Sequence, residues 1–98
     1  MVVISYPVLR EFIEQQPLAK DPINNWYRLA TQADWGNFHE IKEMFNSVDA
    51  VGNDRYVFNI KGNDFRIVAI ILFRVRTVFI RFVGTHAQYD KIKDCSKI

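Results

Sequence analysis

Cysteine is almost missing from this sequence: Cys95 is the single one among 98 residues. No disulfide can close within the chain, so a small secreted scaffold held by disulfides is excluded. Two histidines and that distal cysteine have no metal-ligand spacing, and neither a metal nor another cofactor is expected. Glycine (4) and proline (3) are scarce, and hydrophobic residues make up 49% of the chain, which excludes a disordered or low-complexity protein. Long apolar runs are also lacking. The longest, Ile67 to Phe73, has seven residues, far short of the ~20 that span a bilayer. Met1 to Pro7 carries no basic n-region and no cleavage site, so no secretory signal is expected and the cytoplasm is the expected compartment. There is no G-x-S-x-G elbow and no glycine-rich phosphate loop. A chain of this length is expected to form one domain over residues 1–98, around one core.

Acidic residues are sparse in one half only. Residues 1–54 hold four Lys or Arg against eight Asp or Glu, and residues 55–98 hold nine against three, although the whole chain is only +2. A basic half suits a polyanionic partner. Three scattered carboxylates there argue against a two-metal nuclease.

The hydrophobic periods divide the chain similarly. Val2-Val3-Ile4 is a short β-rich start. Ser5 can cap a helix to about Gln15, with Val8, Leu9, Phe12 and Ile13 on one face, and Pro17 ends it. Asp21-Pro22 reads as an N-cap and N1 proline opening a helix to about Ala33. Asn37 to Glu40 has the form of a capping box before a short helix to about Phe45. The period then falls to two. A short strand at Ala50-Val51 precedes the Gly52-Asn53-Asp54 turn, and strands follow over 55–61, 64–74 and 77–84. Gly62-Asn63 reads as a two-residue hairpin turn and Val75-Arg76 as the next. Thr85 to Gln88 is a T-x-x-Q capping box opening a last helix to about Lys93. The predicted class is α+β, with N-terminal helices packed on one face of a small antiparallel sheet and a short C-terminal helix.

Register separates the strand residues. Turning at Gly62-Asn63 pairs Lys61 with Asp64, Asn59 with Arg66 and Val57 with Val68. Turning at Val75-Arg76 pairs Ile70 with Arg81 and Arg66 with Thr85. One face then collects Tyr56, Phe58, Ile60, Phe65, Ile67, Ala69, Ile71, Phe73, Val78, Ile80 and Phe82, all apolar or aromatic. The other carries Arg55, Asn59, Lys61, Asp64, Arg66 and Arg81. His86 and Tyr89, three apart on the last helix, adjoin the Arg66 end.

Cations, an amide, a histidine and a phenol suit the binding and cutting of a phosphodiester without metal, and the 2′-hydroxyl of RNA is an internal nucleophile that DNA lacks. Arg66 would stabilise charge on the phosphoryl oxygens. His86 suits proton transfer near neutrality. Tyr89, a weak base at its ordinary pKa, suits an acid or a stacking wall. Asn59, Lys61 and Arg81 are candidate RNA contacts, as are Arg74 and Arg76 at the turn and Lys91 and Lys93 in the tail. Each has a plainer reading. Arg66 and Arg81 can be solvated strand residues, His86 an ordinary N1 residue, Tyr89 a packing ring, and the turn and tail cations solubilising. Asp90 reads as structural, His39 as exposed, and Trp26 and Trp35 as core. A non-catalytic RNA- or ribosome-binding module would use the same basic face.

Asp49-x₅-Arg55, the run Val57-Phe58-Asn59-Ile60-Lys61-Gly62-Asn63-Asp64-Phe65-Arg66-Ile67, and Val83-Gly84-Thr85-His86-Ala87-Gln88-Tyr89-Asp90-Lys91 together resemble the HigB family of the RelE-like toxin superfamily. The resemblance is strong over roughly residues 35–93 and weak in the first helices. It implies the RelE-like fold and a toxin of a type II toxin–antitoxin pair. Such a toxin is an mRNA endoribonuclease working on ribosome-bound transcripts and neutralised by a helix-turn-helix antitoxin of the HigA kind. Phe65 stands where the family often has tyrosine, and Gln88 where it often has glutamate.

Overall fold

All of residues 1–98 are described by the structure, a computed structural model. Strand β1 (Val2–Ile4) is followed by helices α1 (Tyr6–Gln15), α2 (Lys20–Gln32) and α3 (Phe38–Met44). Strands β2 (Val48–Gly52), β3 (Arg55–Ile60), β4 (Phe65–Leu72) and β5 (Thr77–Thr85) come next, then the short helix α4 (His86–Asp90). The strands form one sheet in the order β1-β5-β4-β3-β2. The class is α+β, as expected, but the sheet is mixed. β1 pairs parallel to β5, Val2 to Ile4 lying beside Thr77 to Phe79. All of the helices α1 to α3 intervene before β2, so the first strand can return to the far edge, which no local turn signal announces. No helix is long and apolar enough to cross a membrane.

The helices start differently from their sequence signals. Ser5 does sit at the start of α1, but in the left-handed region (φ 81°), and its side chain caps nothing. Pro17 opens a 3-10 turn through Ala19 that runs directly into α2, so Ala19 occupies the N-cap. Asp21 and Pro22 fall inside the first turn. There a carboxylate meets the positive helix end, and a residue without N–H leaves no donor orphaned. Asn37 caps α3 as expected, its Oδ1 accepting the Glu40 N–H at 3.0 Å, while the Glu40 carboxylate accepts the Gly36 N–H.

The β3–β4 register is the predicted one: Asn59 faces Arg66, Val57 faces Val68 and Ile60 faces Phe65. Lys61 to Asp64 make the turn, with Lys61 and Gly62, rather than Gly62 and Asn63, at positive φ. The β4–β5 register is not the predicted one. Residues 73–75 form a 3-10 turn and Arg76 takes the left-handed conformation, so Ile70 faces Phe79, not Arg81. A bulge then inserts Arg81: Ala69 pairs with Ile80 and Val68 with Phe82. Beyond it Ile67 faces Val83, Arg66 faces Gly84 and Phe65 faces Thr85.

The bulge exchanges two side chains between faces. Val83, not Phe82, joins Ile67 on the helix-facing side and packs on the core. The other predicted core-face residues all belong to the core or pack against it. Trp26 and Phe58 meet edge-on at 5.2 Å between ring centroids, with Phe45 and Trp35 around them. Both tryptophans are core, as expected, and neither indole N–H has a hydrogen-bond partner.

Candidate nucleic-acid interface

On the face away from the helices, β3, β4 and β5 bring Asn59, Arg66 and Gly84 into one row. The chain after α4 folds back on this face. Arg55 donates from Nε and Nη2 to the main-chain oxygen of Ile98, and Asn53 donates to that of Ser96. Val57 and Val68 are buried accordingly. The face is therefore partly covered, not the open sheet surface that the alternation of the strands predicts.

Arg66 is the residue most changed by this. It is only 7% exposed. Its Nη1 donates to the carbonyls of Asn63 (2.9 Å) and Phe65 (3.3 Å), and its guanidinium lies 5.5 Å from the centre of the Tyr89 ring. Nε and Nη2 make no hydrogen bond within the protein and are left to donate elsewhere. A planar cation held by its face and one corner presents its remaining N–H groups in a fixed geometry, which suits a phosphate oxygen pair.

Helix α4 is placed by its capping box. Thr85 Oγ1 accepts the Gln88 N–H at 3.2 Å, and Gln88 Oε1 accepts the Thr85 N–H at 2.8 Å. Gly84 makes room for that exchange: a Cβ there would lie 2.5 Å from the Phe82 ring and 2.8 Å from Gln88 Oε1. The His86 N–H is tied to the Asp64 carbonyl at 3.0 Å, so α4 starts at the turn joining β3 to β4. His86 then points Nδ1 at Asp90 Oδ2, 3.0 Å away, leaving Nε2 as the ring nitrogen without a partner. The Tyr89 phenol is pushed up to about 12, first by loss of solvation, then by the hydrogen bond and charge of Cys95 and by Asp49. Arg66 pulls the other way and is outweighed. Tyr89 is thus held protonated, a donor and not a base.

The remaining predicted contacts separate. Asn59 faces Arg66 and gives its Nδ2 to Ser47 Oγ. Lys61 stands on the same turn, loosely paired with Asp64 at 3.9 Å. Arg81 is exposed on the bulge, and Lys91 and Lys93 are exposed just past α4. Arg74 and Arg76 lie at the opposite end of β4, about 20 Å from Arg66 at 3.3 Å per residue. Arg76 is engaged there, its Nε 2.7 Å from Asp34 Oδ1. The structure gathers Asn59, Lys61, Arg66, His86 and Tyr89 and leaves the turn arginines apart. Sequence reasoning read Asp90 as structural and passed over Gly84. The i, i+4 spacing of His86 and Asp90 was a readable signal for the first; the second depends on the bulge and had none.

Residues 19–92 match the HigB toxin family, the RelE-like toxic component of a toxin–antitoxin system. The chain belongs to that family. An mRNA interferase HigB from Escherichia coli O6:H1 is 28% identical over 94 residues, covering 94% of this chain and 91% of that protein. The mRNA interferase toxin HigB of Escherichia coli K12 and an mRNA interferase HigB of Shigella flexneri are each 29% identical over 92 residues, covering 92% of this chain and 88% of theirs. The helices, five-stranded sheet and short last helix are those of a RelE-like toxin, and the matched residues include the whole Asn59 to Tyr89 region.

Proposed function

We propose that this member of the HigB family cuts mRNA at the corner where Arg66 and helix α4, with His86 and Tyr89, adjoin, by attack of a 2′-oxygen on the adjacent phosphorus. It is the toxin of a toxin–antitoxin pair and an endoribonuclease. In the reaction the 2′-oxygen forms its bond to phosphorus as the bond to the 5′-oxygen breaks, leaving a cyclic phosphate and a 5′-hydroxyl. His86, through Nε2, takes the proton from the 2′-hydroxyl. Tyr89, held protonated, donates toward the departing 5′-oxygen. Arg66 gives its free Nε–H and Nη2–H groups to the phosphoryl oxygens as they gain charge; such preorganised donors are strongest where water is excluded. Lys61 and Asn59 hold the strand beside it, and Arg81, Lys91 and Lys93 extend the positive track.

One observation carries this reading: a nearly buried guanidinium, fixed by two carbonyls and an aromatic ring, keeps the N–H groups of Nε and Nη2 unspent next to the only helix that bears a histidine and a tyrosine at i and i+3. A solvated strand arginine would need no such support. We place the activity in the cytoplasm on ribosome-bound transcripts, with a helix-turn-helix antitoxin of the HigA kind as inhibitor. The site offers few strand contacts of its own, and a ribosome would present the mRNA. Induced expression with mapping of mRNA 5′ ends tests it. Wild type should generate new ends, while Arg66→Ala and His86→Ala, folded by thermal melting, should generate none and permit growth. Undiminished cleavage by both variants would sink the site, and efficient cutting of purified RNA would sink the ribosome requirement.

A further inference from the structure

Residues 91–98 cross the outer face of the sheet, and the cleavage chemistry gives this segment no task. It is nevertheless firmly fixed. Asp94 Oδ1 accepts the Ser96 N–H (3.0 Å) and Oγ–H (2.6 Å) and opens a 3-10 turn over Cys95–Lys97. Asn53 Nδ2 donates to the Ser96 main-chain oxygen at 3.0 Å. Arg55 donates twice to that of Ile98, from Nε at 3.0 Å and from Nη2 at 2.6 Å. Its Nη1 donates to the Asn53 carbonyl at 3.0 Å, which joins the two anchors. The segment is a strap, tied at its far end to the turn between β2 and β3.

The strap reaches the site through one side chain. The phenol of Tyr89 hydrogen-bonds to the side chain of Cys95, the first residue of the anchored turn. The same ring lies against the Arg66 guanidinium, 5.5 Å from its centre. Helix α4, which bears Tyr89, has only five residues, and so short a helix has little stability of its own. Arg55 also differs from Arg66 in a telling way. All three of its nitrogens donate within the protein, so none is left for a phosphate. It stands four residues along β3 from Asn59, the cross-strand partner of Arg66, roughly 13 Å away at 3.3 Å per residue. Its only route to the reaction runs through the strap.

We infer that Arg55 is a positioning residue of this site: by anchoring the Cys95–Ile98 strap it holds Tyr89 against Arg66. The assignment rests on Arg66 and Tyr89 serving the cleavage proposed above. A guanidinium fork fixes the direction as well as the distance of the oxygen it holds, which a single ammonium does not. Placement of this kind matters because a shift of ~1 Å in a reacting group lowers a rate about 10²-fold.

The test quantifies mRNA 5′ ends under matched induction of the full chain as wild type, Arg55→Leu, Tyr89→Phe, the double variant and Arg66→Ala, with folding checked by thermal melting. Arg55→Leu should lower cleavage about 10²-fold. Tyr89→Phe keeps the ring on Arg66 but removes the hydroxyl that meets Cys95. In that background Arg55→Leu should lower cleavage less than about threefold further. Cys95, the only thiol, reads the strap directly: in folded Arg55→Leu it should react with an aromatic disulfide about tenfold faster than in wild type. Asn53→Asp removes the second anchor while keeping a residue that tolerates the left-handed backbone there, and it decides the matter if Arg55→Leu unfolds. Wild-type cleavage with a freed thiol overturns the inference. Raised cleavage also overturns it, since the strap would then be a cover. An equal loss in both backgrounds makes Arg55 merely structural and overturns it too. Persistent ends in Arg66→Ala would overturn the site itself, whereas their loss there, with Arg55→Leu unimpaired, overturns the positioning role alone.

Discussion

Replacing Arg66 separates its structural role from the catalytic one proposed for it, because the two fall on different parts of the guanidinium. Nη1 holds two carbonyls and the face stacks on Tyr89. A hydrogen bond from a charged donor contributes about 1.5–3 kcal/mol, and the guanidinium–ring contact about 0.5–2 kcal/mol. Taking the 2.9 Å bond to Asn63 and the ring contact, Arg66→Ala should therefore destabilise the fold by about 2–5 kcal/mol. A domain with about 10 kcal/mol of stability stays folded after such a loss. Nε and Nη2 make no protein bond, so their loss falls on the reaction. Removing one preorganised donor lowers turnover about 10²–10³-fold. Arg66→Lys is the more discriminating change. It keeps the charge, but a single ammonium cannot reach the Asn63 carbonyl, stack on Tyr89 and present two donors to a phosphate at once. Its cleavage should fall nearly as far as that of Arg66→Ala. Urea denaturation measures the first effect, and quantified mRNA 5′ ends under matched expression measure the second. A folded Arg66→Lys protein that cuts at the wild-type rate would refute the assignment of the free donors to phosphate.

Asp90→Asn should lower cleavage, because the carboxylate 3.0 Å from His86 Nδ1 orients the ring with Nε2 outward; cleavage at the wild-type rate would make that contact incidental. Gly84→Ala should cost about 1–3 kcal/mol by overpacking, and Gly84→Ala with Phe82→Leu should recover much of it in a urea melt, since the added methyl meets the Phe82 ring. Tyr89→Phe should remove a phenolate step near pH 12 from an ultraviolet titration. The sign follows from the raised value: the contribution of the neutral phenol to stability is complete below the ordinary 10.0 and is lost as pH rises through about 12. A step at the ordinary value would mean that burial, with Cys95 and Asp49, does not hold the phenol protonated.

Much of the fold was legible because period and punctuation agreed over 55–71. A one-residue slip of β3 against β4 would have driven Arg66 into the core, which makes Asn59 opposite Arg66 the only inexpensive pairing. The next hairpin lacked that protection. Phe82 and Val83 are both apolar, so the pattern could not tell which of them faces the helices, and nothing local marked Arg81 as the bulged residue. Ser5 and Asp21-Pro22 carried cap chemistry that the chain did not use, because the 3-10 turn at Pro17 moved the start of α2. The parallel pairing of β1 joins residues more than seventy apart, beyond the reach of any turn signal.

The sequence by itself determined the class, the face of the sheet that meets the helices, the basic half, and the residue types of the proposed RNA-cutting site, since these follow from alternation, caps and charge along short stretches. Only the tertiary structure decided how those residues stand. The return of residues 91–98 over the outer face and the stacking of Tyr89 turned Arg66 from an exposed strand residue into a nearly buried one with two nitrogens unspent. Helix α4 set His86 against Asp90, and β2 begins only at Val48, opposite Phe58, so a cleft remains beside Asn59. Those outcomes depend on contacts between segments distant in the chain. Their energies are settled by packing and desolvation, which no local pattern encodes.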